Sequence, residues 1–229
     1  GKTHQGIAVA ACGRGLNTPT LLCPEGKNWS RREVADTLLN QSRKTEKTLV
    51  GFDFSFAPPY GDKGEYFPEC EAIPDSISEL WEFIETTGAQ AADFYAGCIP
   101  EHKELKKYFH CAGYRGRCYE KRLRQTELAC MAQRLGRAES IFHLIGPTQV
   151  GLASFAGMRM LSYVKKQNPA IAIWPFENPS EKGVTLVEIY SRLFLAQAGF
   201  ARQQVRDWQT VDQAIREFGS ASVTGEPRT

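Results

Sequence analysis

Two carboxylates stand in stretches that otherwise read as core. In "LVGFDFSFAPPY" (49–60), Asp53 interrupts a run of Leu49, Val50, Phe52, Phe54 and Phe56 that ends at Pro58-Pro59. In "TLVEIYSRLF" (185–194), Glu188 lies near the end of a second apolar run, just before a helical pattern. Burying a lone carboxylate costs more than the roughly 2–7 kcal/mol of a neutral polar group, so each needs a cation, a proton or a polar cleft. In open α/β sheets, ligand and catalytic sites lie at the carboxyl ends of strands. Carboxylates gathered there repel unless a divalent cation neutralises them, and hard cations take one or two carboxylates with waters and substrate phosphate. A paired-ion version of such a site hydrolyses phosphodiesters in line. Asp53 and Glu188 are therefore candidate catalytic residues and ligands for Mg²⁺ or Mn²⁺. The alternatives are an ion pair of Asp53 with an arginine such as Arg124 or Arg159, and a loop-bridging role for Glu188.

Around this pair, several residues could hold a substrate. Strand alternation puts Ser55 on the face of Asp53, and Gly51, Asp53 and Ser55 then form a small polar stripe that a substrate backbone could approach. Arg122 and Arg124 could clamp phosphates bidentately, although Arg124 with Glu127 at i, i+3 is also an ordinary helix-surface pair. "IGPTQVG" (145–151) could present free backbone N–H groups at a helix start, with Thr148 as its cap and Gln149 beside it. His102, His110, Cys111 and Cys118 lack the C-x-x-C spacing of a zinc site.

The net charge of +2 conceals an uneven distribution. From His102 to Arg137, ten Lys/Arg face only Glu104, Glu120 and Glu127, about +7 against about −5 for the remainder. Tyr108, Phe109, Tyr114 and Tyr119 are interleaved with them. Such a stretch suits an anionic partner, nucleic acid included; it also describes a solvated face. No apolar run approaches the roughly 20 residues needed to cross a bilayer, and no signal-peptide pattern opens the chain. The odd number of cysteines, seven, points to reduced thiols and a cytoplasmic location. Oligomeric state leaves no mark in the sequence.

The elements that must position these residues follow from pattern. "GIAVAAC" (6–12) and "PTLLC" (19–23) read as a hairpin around "GRGLN". Ser30 with Glu33 is a capping box before a helix carrying Val34, Ala35, Leu38 and Leu39. Residues 47–56, 170–175 and 184–190 read as strands, and all five strand segments are expected in one mixed sheet. Ser76 with Glu79 starts a helix that Gly88 ends. "LRQTELACMAQRLG" (123–136) reads as a helix with Leu128, Met131, Ala132 and Leu135 on one face. A long helix follows Thr148, its Gly151 and Gly157 marking close packing. "SRLFLAQAG" and "TVDQAIREFG" are short helices, and the four tryptophans read as packing residues. The whole is a single α/β domain, 1–229, with a mainly helical insertion over about 60–140.

Taken together, "VGFDFSFAPP", "RLRQTELACMAQRLGRAESIFHLIGPTQVGLASFAGMRML", "IWPF" and "LVEIYSRLF" resemble an uncharacterised bacterial family of predicted nucleases with a ribonuclease H-like fold. The resemblance implies a ribonuclease H-like mixed sheet flanked by helices, with Asp53 and Glu188 among the family's sheet-end carboxylates. It also implies a first strand with an aspartate before Gly1 and a last helix with an acidic residue after Thr229. The chain opens without methionine and closes on a polar tail, so a sequence trimmed at both ends is expected. The function expected is a metal-dependent nuclease or phosphodiesterase. Its rivals are a non-catalytic binding or scaffold protein and, last, a sugar- or acetate-kinase-like phosphotransferase, whose phosphate hairpin "ACGRGLNTPT" would lack an acidic residue.

Overall fold

The computed structural model describes residues 6–13, 19–26, 28–70, 76–147, 149–179, 183–200 and 208–217. The fold is mixed α/β. Its centre is a three-stranded parallel sheet of β3 (Thr48–Phe52), β7 (Ala172–Ile173) and β8 (Val184–Glu188), in the order β3-β8-β7. Val184 and Leu186 of β8 are fully buried, as befits the middle strand of a parallel sheet.

Helices α1 (Arg31–Ser42), α2 (Ile77–Gly88) and α4 (Gly151–Gln167) build the rest of the core. Helix α1 starts as its capping box requires: Ser30 Oγ accepts from Glu33 N at 3.1 Å, and Glu33 Oε2 accepts from Ser30 N at 2.6 Å. Ser76 caps α2 through its Oγ, which accepts from Glu79 N. Leu80, Trp81 and Ile84 of α2 and Phe155, Met158, Leu161 and Val164 of α4 are buried. Arg159 also lies inside, 2 % exposed, because Gly88 leaves room: a Cβ there would stand 2.6 Å from Arg159 Nε. Its guanidinium donates to Glu85 Oε2 at 2.6 Å and to the carbonyls of Ala91 and Tyr95, which answers the demand that a buried charge be paired.

The expectation of one sheet is corrected. The hairpin forms, with β1 (Val9–Ala11) antiparallel to β2 (Thr20–Leu22), but as a separate two-stranded sheet. Its residues Ala10, Ala11 and Leu21 are exposed, so it buries too little apolar area to be held against the core. Strand β3 ends at Phe52 rather than at residue 56. Strands β7 and β8 run parallel.

Among its described residues, the 60–140 segment holds α2, three short 3-10 turns, α3 (Gln125–Ala132), and the strands β4 (His110–Cys111) and β5 (Tyr114–Arg115). Strand β4 pairs with β5 and with β6 (His143–Leu144) in a third small sheet. Helix α3 is shorter than its pattern and buries none of its residues; Leu128 and Met131 are exposed. Arg134, at φ 59°, turns the chain out of the helix before Leu135 can join the stripe. Helices α5 (Ser191–Gln197) and α6 (Trp208–Glu217) follow β8, with Gly199 at φ 88° ending the turn after α5. Trp29 and Trp81 are core residues, Trp174 is half exposed, and the Trp208 side chain lies outside the described residues. Among the described residues, no helix is long and apolar enough to cross a membrane.

Candidate functional site

Parallel pairing sets Phe52 opposite Glu188, so β3 and β8 end at the same level. Ile189 N donates to Phe52 O at 2.8 Å and carries the ladder one step further. Past Phe52 the chain leaves the sheet. Asp53 turns to solvent; Phe54 packs between Phe52 and Phe56, ring centroids 5.2 Å from each. Ser55 N donates to Ser154 Oγ at 3.1 Å, and Phe56 N donates to Glu188 Oε2 at 3.0 Å. The loop 53–56 is therefore tied to α4 on one side and to the end of β8 on the other.

Asp53 resolves its own puzzle: it is exposed, so its charge remains hydrated. Ser191 Oγ, at the start of α5, donates to its Oδ2 at 3.3 Å. The alternative, a pairing with Arg124 or Arg159, is not made; those arginines serve Glu188 with Glu127, and Glu85.

Glu188 is engaged. Arg124 Nη1 donates to its Oε2 at 2.7 Å and Nη2 to its Oε1 at 2.6 Å, a bidentate fork. The same guanidinium donates through Nε to Glu127 Oε1 at 2.9 Å, while Glu127 Oε2 accepts from the Arg124 backbone N at 2.8 Å. One cation thus serves two carboxylates. Burial works to lower the Arg124 pKa, but the bonds to Glu188 and Glu127 outweigh it and hold the group above its ordinary value. Tyr190 has its phenol pushed up, chiefly by burial, with Asp53 and Glu127 among the charges that add to the effect. Tyr190 and Ser191 were not singled out from sequence. The only signal was their position between the Glu188 strand and a helix.

The remaining candidates are placed apart. Arg122, 7 % exposed, donates Nε to Asp62 Oδ2 at 2.8 Å and Nη2 to Asp62 Oδ1 at 2.7 Å, with further bonds to the carbonyls of Pro59, Glu65 and Tyr66. Its donors are turned into the 59–66 loop. The stripe of Gly51, Asp53 and Ser55 is broken: Ile189 lies across Gly51, where a Cβ would stand 2.7 Å from its Cγ2, and Ser55 is buried. Gln149 is exposed ahead of α4; Thr148 lies outside the described residues, as does most of the "GRGLN" turn. His102 packs against Phe83, whereas His110 packs against Tyr119 and His143.

Half of the ten basic residues of the segment are paired with acids. Lys106 pairs with Glu101, Lys121 and Arg137 with Glu139, Arg122 with Asp62, and Arg124 with Glu127 and Glu188. Lys103, Arg115, Arg117 and Arg134 are exposed, with Arg115 stacked 5.0 Å over the Tyr119 ring.

A hard divalent cation needs oxygen donors. Asp53 supplies them as it stands; both Glu188 oxygens already accept from Arg124, and Oε2 accepts from Phe56 N as well. Among the described residues, no three His, Cys, Asp or Glu side chains are gathered as a metal cluster. A hollow of about 410 Å³ is lined by Leu49, Trp174 and Val187, and another of about 400 Å³ by Asp62, Arg122 and Leu128; neither is lined by Asp53 or Glu188. No family model, curated protein or solved structure matches the chain.

Proposed function

We propose that the chain is a ribonuclease H-like, metal-dependent nuclease or phosphodiesterase of the cytoplasm, with nucleic acid as its substrate. The observation that supports this most is the pairing of Phe52 with Glu188, which ends β8 on a carboxylate at the level where β3 ends, one residue before Asp53. A Mg²⁺ or Mn²⁺ ion bound by Asp53 and Glu188 would activate water and neutralise the departing oxygen. Ser191 orients Asp53 through its hydroxyl. Arg124 offers a planar fork that matches a phosphate as well as it matches a carboxylate. Within the basic segment, Lys103, Arg115, Arg117 and Arg134 are exposed and would meet a nucleic-acid backbone.

The test is cleavage of single- and double-stranded DNA and RNA with Mg²⁺, with Mn²⁺ and with chelator. Metal-dependent cleavage by the native protein, lost in Asp53→Asn, is the expected result. Nucleic-acid binding without cleavage, unaffected by Asp53→Asn, would favour the second reading, a non-catalytic binding protein. The closed Arg124–Glu188 fork favours that second reading.

A further inference from the structure

We infer that Arg115, His110 and His143 form a phosphate-binding row on the third small sheet, readied for its anion by protonation of the two imidazoles. The row uses neither Asp53 nor Glu188 and goes beyond the activity proposed for them. Strand register builds it. His110 of β4 stands opposite Arg115 of β5 and opposite His143 of β6, so the three side chains lie abreast on one face. The two imidazole rings meet at 5.2 Å between centroids. Tyr119 touches all three residues. Its ring centroid is 5.0 Å from that of His110, its Oη is 3.1 Å from His143 Nδ1, and the Arg115 guanidinium sits 5.0 Å over it.

The positive capacity of the row is unanswered. Among the described residues, Arg115 makes no ion pair, His110 makes no hydrogen bond, and His143 bonds only through Nδ1. None of the unpartnered imidazole nitrogens is shut away from solvent. Glu139, whose carboxyl feels His143, is committed elsewhere: Lys121 donates to it at 2.9 Å and Arg137 stands 3.6 Å away. Lys121 above all holds that carboxyl below its ordinary value. Tyr119 supplies the switch. With His143 neutral, Nδ1 accepts from the phenol; a protonated His143 donates from Nδ1 instead and releases the phenol O–H toward an anion. The phenol keeps its proton, because burial pushes its pKa up against the pull of Lys121 and Arg115. Protonation therefore adds imidazole charge and a hydroxyl donor to the Arg115 fork, which suits the oxygens of a phosphate. Anion binding and proton uptake then favour each other by the same factor.

The experiment is proton NMR of the histidine Hε1 signals, assigned by substituting each histidine in turn and followed over about pH 5–8 in EDTA. Dimethyl phosphate, a monoanion throughout, is the first probe; inorganic phosphate is the second; sodium chloride at equal ionic strength is the control. Expected is that the anion moves the titrations of His110 and His143 to higher pH and leaves that of His102 in place. Arg115→Gln should weaken anion binding about tenfold, as for losing a hydrogen bond to a charged group, and Tyr119→Phe should weaken it by less. Thermal melts establish folding, and the exposed Arg115 decides the matter if Tyr119→Phe is unfolded. A response to dimethyl phosphate assigns the row to a nucleic-acid backbone, and a response to inorganic phosphate alone assigns it to a free or terminal phosphate. Signals of His110 and His143 unmoved by either anion, moved equally by chloride, or moved equally in Arg115→Gln overturn the row and leave an aromatic cluster. In EDTA none of these results depends on the metal-site reading, which stands or falls separately.

Discussion

Phe54 lays its ring on the bare backbone of Gly157, so closely that a Cβ on that glycine would stand 2.2 Å from Phe54 Cε2. This contact sets where the chain goes after β3. With Phe54 seated against α4, Asp53 is left facing out and the backbone beyond it is carried over to Glu188. Gly157→Ala should therefore destabilise the protein by about 1–3 kcal/mol, the usual cost of overpacking a filled core. The displaced Phe54 should also disturb the 53–56 loop. Urea unfolding measures the first effect; faster hydrogen exchange at the Phe56 amide, which Glu188 now holds, reports the second.

Arg122 anchors rather than receives. Replacing it by Ala strands Asp62 and the carbonyls of Pro59, Glu65 and Tyr66 in a partly buried loop. Breaking a buried pair from one side costs about 3–5 kcal/mol. A loss of that size in denaturant midpoint is expected for Arg122→Ala, whereas a phosphate-binding arginine would be removed at little cost to stability.

The same pair predicts an acid sensitivity. Hydrogen bonds from Arg122 hold the Asp62 carboxyl below its ordinary value of 3.8, against an opposing effect of burial. A depressed pKa in the folded state contributes stability that is present above the unfolded value and lost as pH falls through the folded one. The Asp62 contribution should thus be intact at neutral pH and disappear below about pH 4. Asp62→Asn should be less stable than the native protein at pH 7 and approach it near pH 2–3. Melting temperatures across that range test the convergence; a constant gap would show that charge is not what Asp62 contributes.

What could be read from sequence was what local chemistry decides. Ser30 with Glu33 and Ser76 with Glu79 fixed two helix starts, because a cap is made three residues from its partner. The apolar runs around Asp53 and Glu188 gave two strands of the central sheet, because β-rich runs bounded by prolines or a helix pattern have few other uses. The rest depends on partners distant in the chain. The Arg122 side chain meets Asp62 across sixty positions, and nothing beside Arg122 forecasts this. Helix α3 has a helical apolar period, but no surface closes over Leu128 and Met131. Period indicates a face, and only packing decides whether the face is covered. In the basic segment, Arg122 and Arg124 likewise meet acids far off in sequence, Asp62 and Glu188, whereas Glu101 and Glu139 flank the segment itself.

That neutralisation changes which charges to reverse. Arg122 is buried in a bonding network, and Lys121 is tied to Glu139. Lys103, Arg115, Arg117 and Arg134 are the exposed set to mutate to Glu. If they meet nucleic acid, the four-fold variant should bind every sequence more weakly, and the slope of log affinity against log salt should shrink by about 0.9 for each duplex phosphate the variant no longer neutralises. Fluorescence anisotropy over a salt series measures both. An unchanged slope would make this surface a solvated face.

The two carboxylates of the site should part company under mutation. Asp53 is exposed and accepts one bond, from Ser191 at 3.3 Å, so Asp53→Asn removes little that the fold uses. Stability should stay within about 0.5 kcal/mol of the native protein, as for most surface changes. Glu188 accepts from both Arg124 nitrogens and from Phe56 N, and its charge balances a guanidinium that is mostly withdrawn from water. Glu188→Gln keeps the size but turns one end into a donor facing Arg124. A loss of about 1.5–3 kcal/mol is expected, the range for hydrogen bonds to charged groups. Thermal melts of the two variants side by side test the contrast. Should Asp53→Asn prove the more damaging, Asp53 would be a structural partner, and a cation site built on it would lose its foundation.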